Sequence, residues 1–338
     1  MFGALVGRGG FEPPLTGPEP VVLPLDDLPR VRAMVRKPAW AVKIWLARES
    51  AHDTIWHMET RVREPIVAGA FYPEPHEQLA AAVSALLGED VDRCCAPLSA
   101  PCGLISPHAG YPYSGATAAA GYRAIAAQGR PDIVVLLGAN HTGSGGAISL
   151  DDHDAWRTPL GDVRVARDAV ARLSSEGLTI NTDAFVREHS IEVQLPFLQV
   201  LWGSTVPIVP ICVQLVDRET LAEIGDVIAN AVGKDGHGLI IASSDFTHYE
   251  PDEAARRRDH LAIEPILALD APRFLTLCVD EHLSICGAGA ISVLITVATR
   301  LGLTDTSLVN YATSGDTTGD RSAVVGYAAI SFVRRDHG

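Results

Sequence analysis

The sequence has few cysteines and few cationic side chains, and each scarcity excludes a class of protein. Six cysteines are too sparse over 338 residues for a disulfide scaffold, and none has C-x-x-C zinc spacing. Lys and Arg number 27 against 41 Asp and Glu, which gives a formal net charge of -14. We therefore expect no nucleic-acid partner, because phosphate binding needs an excess of cationic side chains.

Long apolar runs are also missing. No run approaches the roughly 20 residues that cross a bilayer, and the N-terminus lacks a basic segment followed by a signal-type apolar core. We therefore expect a cytoplasmic location without membrane association. The sparse cysteines are expected to be free thiols. Apolar residues nevertheless make up 47% of the chain, which is enough to build the core of one large domain or two small ones.

The first part of the chain, residues 1–60, differs from the rest and is interpreted as an appendage. Pro and Gly crowd residues 8–30, and residues 31–57 carry scattered Trp and Arg without steady periodicity. Two interpretations stay open: a flexible tail, or a start codon assigned too far upstream with translation beginning at Met58. Residues 61–335 are expected to form the folded domain.

Buried strands and amphipathic helices alternate along this second part. Apolar runs predict strands at 102–106, 132–137, 207–213 and 238–243, and two closing strands at 307–311 and 323–332. Helical patterns occupy 115–128, 167–175, 190–201, 219–232, 253–269 and 288–301. This alternation is typical of a single α/β domain with a mostly parallel central sheet flanked by helices.

Polar clusters follow three of the predicted strands: PHAGY, GANH and SSDFTHY. Because the carboxyl ends of parallel strands line a common crevice, we expect His108, His141 and His248 to meet there. Neutral imidazoles bind iron, copper or zinc, so converging histidines indicate a transition-metal site. A single loop histidine is commonly just hydrogen-bonded to backbone, but three at equivalent strand ends favour the site. Asp245 could supply an oxygen ligand or orient a histidine.

Two further segments contribute candidates. Cys286 precedes an apolar helix, where the helix dipole favours a thiolate that could bind metal, although a small buried apolar residue is an equal alternative. In EHSIEVQ, Ser190 is a plausible N-cap, and Glu188 and Glu192 suit the positive end of a helix. The helix-end interpretation gives His189 no role, so this residue could face the crevice as a substrate contact.

Two other motifs are weaker. A hydrolase triad of Ser244, Asp245 and His248 is disfavoured, because the three residues crowd one short loop and no G-x-S-x-G motif is present. The Gly-Asp-Thr segment at 313–320 lacks the Lys and the following helix of a P-loop, so we interpret it as a polar lid or turn.

Eight motifs, in order from residue 64 to about residue 332, resemble the Memo family, known in prokaryotes as AmmeMemoRadiSam system protein B. They are EPIVAGAFYP, PHAGYPYSG, LLGANH, WRTPLGDV, EHSIEVQLPFL, SSDFTHY, ICGAGAI and YATSGDTTGD. The resemblance implies a fold similar to that of the class III extradiol dioxygenases, which open catechol rings at a non-haem iron. It also implies metal ligands at His108, His141 and Cys286, with Asp245 and His248 alongside, and we expect these last two residues to be catalytic.

The sequence departs from the usual Memo-family pattern at one position and from the metal-ligand set of the dioxygenases at another. The family usually has a second histidine after GANH, where this chain has Thr142. Ring-cleaving oxygenases hold iron with two histidines and a carboxylate, whereas the third position here is the thiol of Cys286. A thiolate shifts the preference toward copper(I) or zinc, and iron stays open.

Three functions follow as alternatives. The first is a redox protein or oxidoreductase with one iron or copper ion, zinc being a further option. The second is an extradiol dioxygenase in which Tyr111 or His189 positions the substrate ring. The third is a non-catalytic module that binds a protein or peptide in a relic pocket. The family name implies an Amme-domain protein and a radical S-adenosylmethionine enzyme as partners, with a small molecule or peptide as the pocket ligand.

Overall fold

Short apolar runs form strands, and longer amphipathic stretches form helices, in the computed structural model, which describes residues 60–88, 91, 96–233 and 236–335. The strands are β1 (Val62–Arg63), β2 (Cys102–Ser106), β3 (Ile133–Ala139), β4 (Ile148–Leu150), β5 (Ala155–Thr158), β6 (Gly161–Arg164), β7 (Ile208–Val213), β8 (Gly238–Ser243), β9 (His248–Glu250), β10 (Asp305–Thr313) and β11 (Val324–Val333). The helices are α1 (His76–Leu87), α2 (Tyr111–Ala126), α3 (Arg167–Ser175), α4 (Leu195–Trp202), α5 (Arg218–Val232), α6 (Asp252–Leu267), α7 (Ala271–Asp280), α8 (Ala288–Leu301) and α9 (Ser314–Thr318). Among the described residues, none of the helices has the length and hydropathy of a membrane span.

The central sheet has the strand order β10-β11-β2-β8-β3-β7-β4, and β9 pairs with β11. Strands β2, β8, β3 and β7 are parallel, as predicted. The outer pairs β10–β11, β11–β2 and β7–β4 are antiparallel, so the sheet is mixed, and the expectation of a mostly parallel sheet holds only at its centre. Strands β10 and β11 are antiparallel because only ten residues connect them, fewer than a parallel crossover requires. The single α/β domain with flanking helices is confirmed.

The parallel strands are buried along almost their whole length because helices cover both faces of the sheet. On one face, a Cβ at Gly103 would touch Leu294 of α8, and on the other, Leu104 reaches Gly121 of α2. Helices α5 and α7 pack beside α8, while α1 and α4 lie next to α2. A separate small sheet has the order β1-β5-β6.

Some predicted boundaries differ. The helix predicted at 190–201 begins only at Leu195, after a 3-10 turn at Glu192–Gln194. The segment at 313–320 contains the short helix α9, closed by a capping box between Thr313 and Asp316. The sequence did not predict β1, β4, β5, β6 and β9, which span two to four residues each, nor the helices α1 and α7. The appendage assigned to residues 1–60 lies outside the described residues except for its last one.

Three neighbouring parallel strands end side by side at one edge of the sheet. In the order β2, β8, β3, their last residues are Ser106, Ser243 and Ala139, and the following loops carry the histidines that the sequence singled out. Gly138 lets a further loop approach this edge, because a Cβ there would lie 2.6 Å from Ser190 Oγ. The fold therefore brings four loops together at the carboxyl ends of the central strands.

Replacing Gly225 with Ala should destabilise the domain. A Cβ at this position of α5 would lie 2.6 Å from Thr296 Cβ in α8, so the two helices would have to move apart. Overpacking of this kind costs about 1–3 kcal/mol, which offsets the roughly 1 kcal/mol gained in helix propensity. Denaturant unfolding measures the change, and Asn230→Ala on the exposed side of α5 is the control, expected to lose no stability. An equally stable Gly225→Ala protein would contradict the close helix contact.

Candidate metal centre

Three histidines meet at the carboxyl edge of the sheet. His108 follows β2, His141 follows β3, and His189 lies in the loop before α4. One ligand atom from each falls within 4.8 Å of the others, and within the described ranges this is the group suited to hold a metal ion. The ring centroids are 5.2 Å apart for His108 and His141, 5.4 Å for His108 and His189, and 4.8 Å for His141 and His189.

The tautomer of His108 follows from a buried serine beneath it. Ser243 Oγ donates its single proton to Ser190 O at 2.7 Å. It must therefore accept from His108 Nδ1, 2.9 Å away, and from Gln194 Nε2, 2.8 Å away. This leaves the lone pair of His108 Nε2 for a ligand. Burial also lowers the pKa of His108 well below its ordinary value, so the ring stays neutral.

Glu188 orients the second imidazole. Its carboxylate is fully buried and lies 3.0 Å from His141 Nδ1, so that nitrogen donates its proton and Nε2 faces away from Glu188. The backbone N–H groups of His141, His189 and Ser190 donate to the same carboxylate at 2.8, 2.9 and 2.8 Å. A carboxylate bonded to Nδ1 in this way is a common support for a metal-binding histidine.

Charge also couples Glu188 to His141. Burial disfavours the charged imidazole, but Glu188 and the Cys286 thiol outweigh it and raise the pKa of His141 well above its ordinary value. Burial likewise disfavours the Glu188 carboxylate, yet His141, His189 and the Ser190 N–H hold its pKa well below the usual range. Without a metal, the raised pKa favours a protonated His141 beside the buried Glu188 carboxylate, so a metal at His141 Nε2 would displace a proton.

His189 has a different environment. Its ring stacks on His141 with an interplanar angle of 18°, and Phe71 packs edge-on against it at 4.9 Å. The distance from Nδ1 to Glu188 Oε1 is 3.8 Å, too long for a hydrogen bond. Burial is the main reason that the pKa of His189 falls to about 4. The neutral ring therefore stands inside the histidine group, which makes it a candidate ligand as well as a substrate contact.

Cys286 lies at the edge of the same group, just before α8. Its Sγ is 3.3 Å from His108 Nε2 and accepts a hydrogen bond from the Asp245 N–H at 3.1 Å. The side chain is half-buried rather than sealed in the core. The structure thus places this thiol against the lone pair of His108, as a ligand role requires.

Asp245 and His248 hold the loop after β8. The buried Asp245 carboxylate accepts the His108 N–H at 2.8 Å and the Ala109 N–H, and burial raises the pKa of Asp245. His248 donates from Nδ1 to Ser284 O at 2.8 Å, and its backbone N–H donates to Ser284 Oγ at 2.8 Å. Asp245 therefore supports the loop of His108, and the second ring nitrogen of His248 is left for other contacts.

Tyr111 is placed in the core. Its hydroxyl donates to Val193 O at 2.8 Å, and its ring packs against Tyr72 and Phe197. Only 5% of this residue is exposed. Its phenol group is thus bonded in the interior, and its contact with a pocket ligand stays a prediction.

Sequence reasoning missed Glu188, which it interpreted as a charge suited to a helix end. The helix begins seven residues later, so the carboxylate has no such role. The signal that could have identified it is an acidic residue directly before a histidine, in a segment that follows no predicted strand. Pairing with His141 depends on the tertiary fold, because 47 residues separate the two.

The donor set fits a transition-metal ion. His108 and His141 present Nε2 from rings whose Nδ1 protons are engaged, and Cys286 supplies a soft sulfur beside them. Imidazole with thiolate is a ligand combination that favours copper, zinc or iron over magnesium or calcium. The fold and this site define an α/β protein with a histidine-rich candidate metal centre.

Comparison with known proteins agrees with this class. The family model described as "Memo-like protein" matches residues 63–331, and the chain belongs to this family. A MEMO1 family protein of Methanopyrus kandleri is 40% identical over 280 residues, covering 80% of this chain and 99% of the relative. Those of Methanosarcina barkeri and Pyrobaculum aerophilum are each 42% identical, over 274 and 281 residues, covering 80% and 81% of this chain and 99% and 100% of the relatives.

Replacing Ser243 with Ala should release the His108 ring. The variant leaves Ser190 O and Gln194 Nε2 short of a partner, with a cost of about 1–3 kcal/mol. His108 should then populate both neutral tautomers, which the imidazole ¹⁵N chemical shifts detect. Ser175→Ala, at an exposed serine of α3, is the control. A single His108 tautomer in the Ser243 variant would contradict the assignment.

The metal-free protein should lose stability as the pH falls from 6.5 toward 4. The folded-state pKa values of His108 and His189 lie below the ordinary value of 6.5, the latter at about 4. In this range the unfolded chain binds protons that the folded chain does not, so stability rises with pH, by about 1 kcal/mol per unit for each imidazole. Denaturant unfolding with a chelator present measures the slope. His189→Gln should lower the slope of the free energy of unfolding against pH by about 1 kcal/mol per unit, the contribution of one imidazole. An unchanged slope would contradict a buried, neutral His189 ring.

Proposed function

We propose that this protein binds one transition-metal ion through His108, His141 and Cys286 and uses it in an oxidoreductase reaction. The proposal rests on three potential ligand atoms that lie close together: Nε2 of His108, Nε2 of His141 and Sγ of Cys286. Two imidazoles have Nδ1 occupied by Ser243 and by Glu188, so their Nε2 atoms are the available donors. The thiol lies 3.3 Å from one of these atoms, a spacing suited to two ligands of one ion.

The ligand chemistry supports iron or copper. A thiolate is soft and favours copper(I), zinc or iron, and the first and last of these change oxidation state in proteins. The ion would supply electron transfer or a site for a bound oxidant. His248, with Nδ1 held by Ser284 O, is suited to move a proton at Nε2, and Asp245 holds the neighbouring backbone. His189 is the alternative third ligand, because its ring belongs to the same group.

Ring cleavage of the extradiol type has less support. That chemistry uses two histidines and one carboxylate on iron. The Glu188 carboxylate already accepts the His141 side chain and three backbone N–H groups, and Asp245 accepts two more backbone N–H groups. Both carboxylates thus serve as supports for the loops that carry the histidines. A cysteine in the third ligand position favours electron transfer over catechol binding.

Partners remain part of the proposal. An Amme-domain protein and a radical S-adenosylmethionine enzyme are expected from the family name, and a small molecule or peptide is expected in the pocket. Copurification of either protein with this chain, and its dependence on a loaded metal centre, would test the association. A cytoplasmic location is likewise a prediction.

Anaerobically purified protein should contain about one transition-metal ion per chain, as expected for a single site. His108→Ala, His141→Ala and Cys286→Ala should each reduce the metal content, because each removes one donor of a site with few ligands. Elemental analysis measures the content. His237→Ala is the matched control, since this histidine pairs with Asp132 at the opposite end of the parallel strands and should retain the metal.

The same measurement separates the two candidates for the third ligand. Loss of metal in Cys286→Ala with retention in His189→Gln would support the cysteine. The reverse pattern would assign the position to His189. Full occupancy in both His108→Ala and His141→Ala would overturn the proposed centre altogether.

A further inference from the structure

Two residues beside the candidate centre have a left-handed backbone. Tyr249, at φ 61°, directly follows His248, and His282, at φ 49°, lies two residues before Ser284. Ser284 accepts the Nδ1 proton of His248 and the backbone N–H of the same residue. A non-glycine residue in this conformation is strained and persists only where its surroundings hold it. The strain therefore lies on both segments that determine the position of His248.

Arg258 of α6 joins these two strained segments. Its Nε lies 3.1 Å from Glu250 Oε1, one residue after Tyr249. Its terminal nitrogen donates to His282 O at 3.1 Å and to Glu281 O. The guanidinium is only a quarter exposed, so these charged contacts are partly shielded from solvent. One side chain thus contacts both sides of the loop pair that carries His248 and Ser284.

The next residue of α6, Asp259, holds the residue before His248. Its Oδ1 accepts the Thr247 N–H at 2.9 Å and the Thr247 hydroxyl at 2.6 Å, and its Oδ2 accepts the Tyr311 hydroxyl at 2.7 Å. This carboxylate is 1% exposed. The backbone makes room for it at Gly326, where a Cβ would lie 1.9 Å from Oδ2. Asp259 thus fixes the chain immediately before the imidazole.

We propose that Arg258 and Asp259 are positioning residues for His248. They hold the backbone on either side of it, and Arg258 also holds the loop of Ser284, which binds the His248 ring. Neither has a contact with His108, His141 or Cys286 among the described hydrogen bonds and ion pairs, so both act through His248. This inference rests on the proposed function, in which His248 is the proton-transferring group.

The consequence is a single orientation for the imidazole. With Nδ1 bound to Ser284 O, only Nε2 of His248 can exchange a proton with a ligand. If Arg258 no longer joined Glu250 to the carbonyl of His282, the strained segments could relax and this hydrogen bond would open more often. The expected loss is thus in the order of the ring rather than in the global fold.

The test follows the His248 Nδ1 proton by ¹⁵N NMR in full-length protein treated with a chelator, with the signal assigned by His248→Gln. In the wild type this proton should exchange slowly with water as a single tautomer. Arg258→Gln should accelerate its exchange by about tenfold or more, the effect of losing a charged hydrogen bond. Arg258→Lys, which keeps the ion pair with Glu250 but loses the second donor, should be intermediate.

The control is Arg257→Gln, an exposed arginine on the same helix, which should leave the signal unchanged. Amide exchange in β2 reports global opening. Slow exchange in Arg258→Gln, or acceleration that matches the β2 amides, would overturn the positioning role. Asp259→Asn provides a second variant if Arg258→Gln does not fold. Because the readout uses metal-free protein, it stands apart from the metal analysis: absence of metal in the wild type would defeat the proposed function without changing this result.

Discussion

The negative charge of Glu188 has no contact with solvent, and its stabilisation determines much of the candidate site. A buried carboxylate is costly unless it is paired and fully hydrogen-bonded. Glu188 meets that requirement with the side chain and backbone N–H of His141 and with the backbone N–H groups of His189 and Ser190. The same contacts hold two imidazoles next to each other, so the charge that must be satisfied is also what assembles the histidine group.

A second buried carboxylate, Glu192, extends this constraint to the start of the domain. It forms an ion pair with Arg63 and accepts the Tyr72 hydroxyl at 2.6 Å and the Val67 N–H at 3.0 Å. Arg63 in turn donates to the Glu188 carbonyl at 2.6 Å. These contacts attach the segment around residues 63–72 to the loop of the site. Glu192 thus holds the start of the domain, whereas Glu188 holds the histidines.

The sequence predicted the parallel strands and two of the three histidines that meet at their ends, but the third is His189 and not His248 as expected. Strands β2 and β8 coincide with apolar runs, because burial on both faces favours apolar residues at every position before the terminal serine. The crevice rule then placed His108 and His141 together without knowledge of any side-chain contact. The two closing strands were predicted, but their antiparallel pairing was not, and the short strands β4, β5, β6 and β9 escaped this reasoning because their patterns are weak over so few residues.

What the sequence by itself determined was the class of fold and the edge of the sheet where the histidines gather. Both depend on local periodicity and on a general rule of sheet topology. Only the tertiary structure decided that Glu188 is a support, that Tyr111 is a core residue, and that His189 stands among the histidines. It also brought Cys286 to His108 across 178 residues. Contacts over such separations depend on how the strands and loops pack together, and local periodicity does not specify which distant side chains meet.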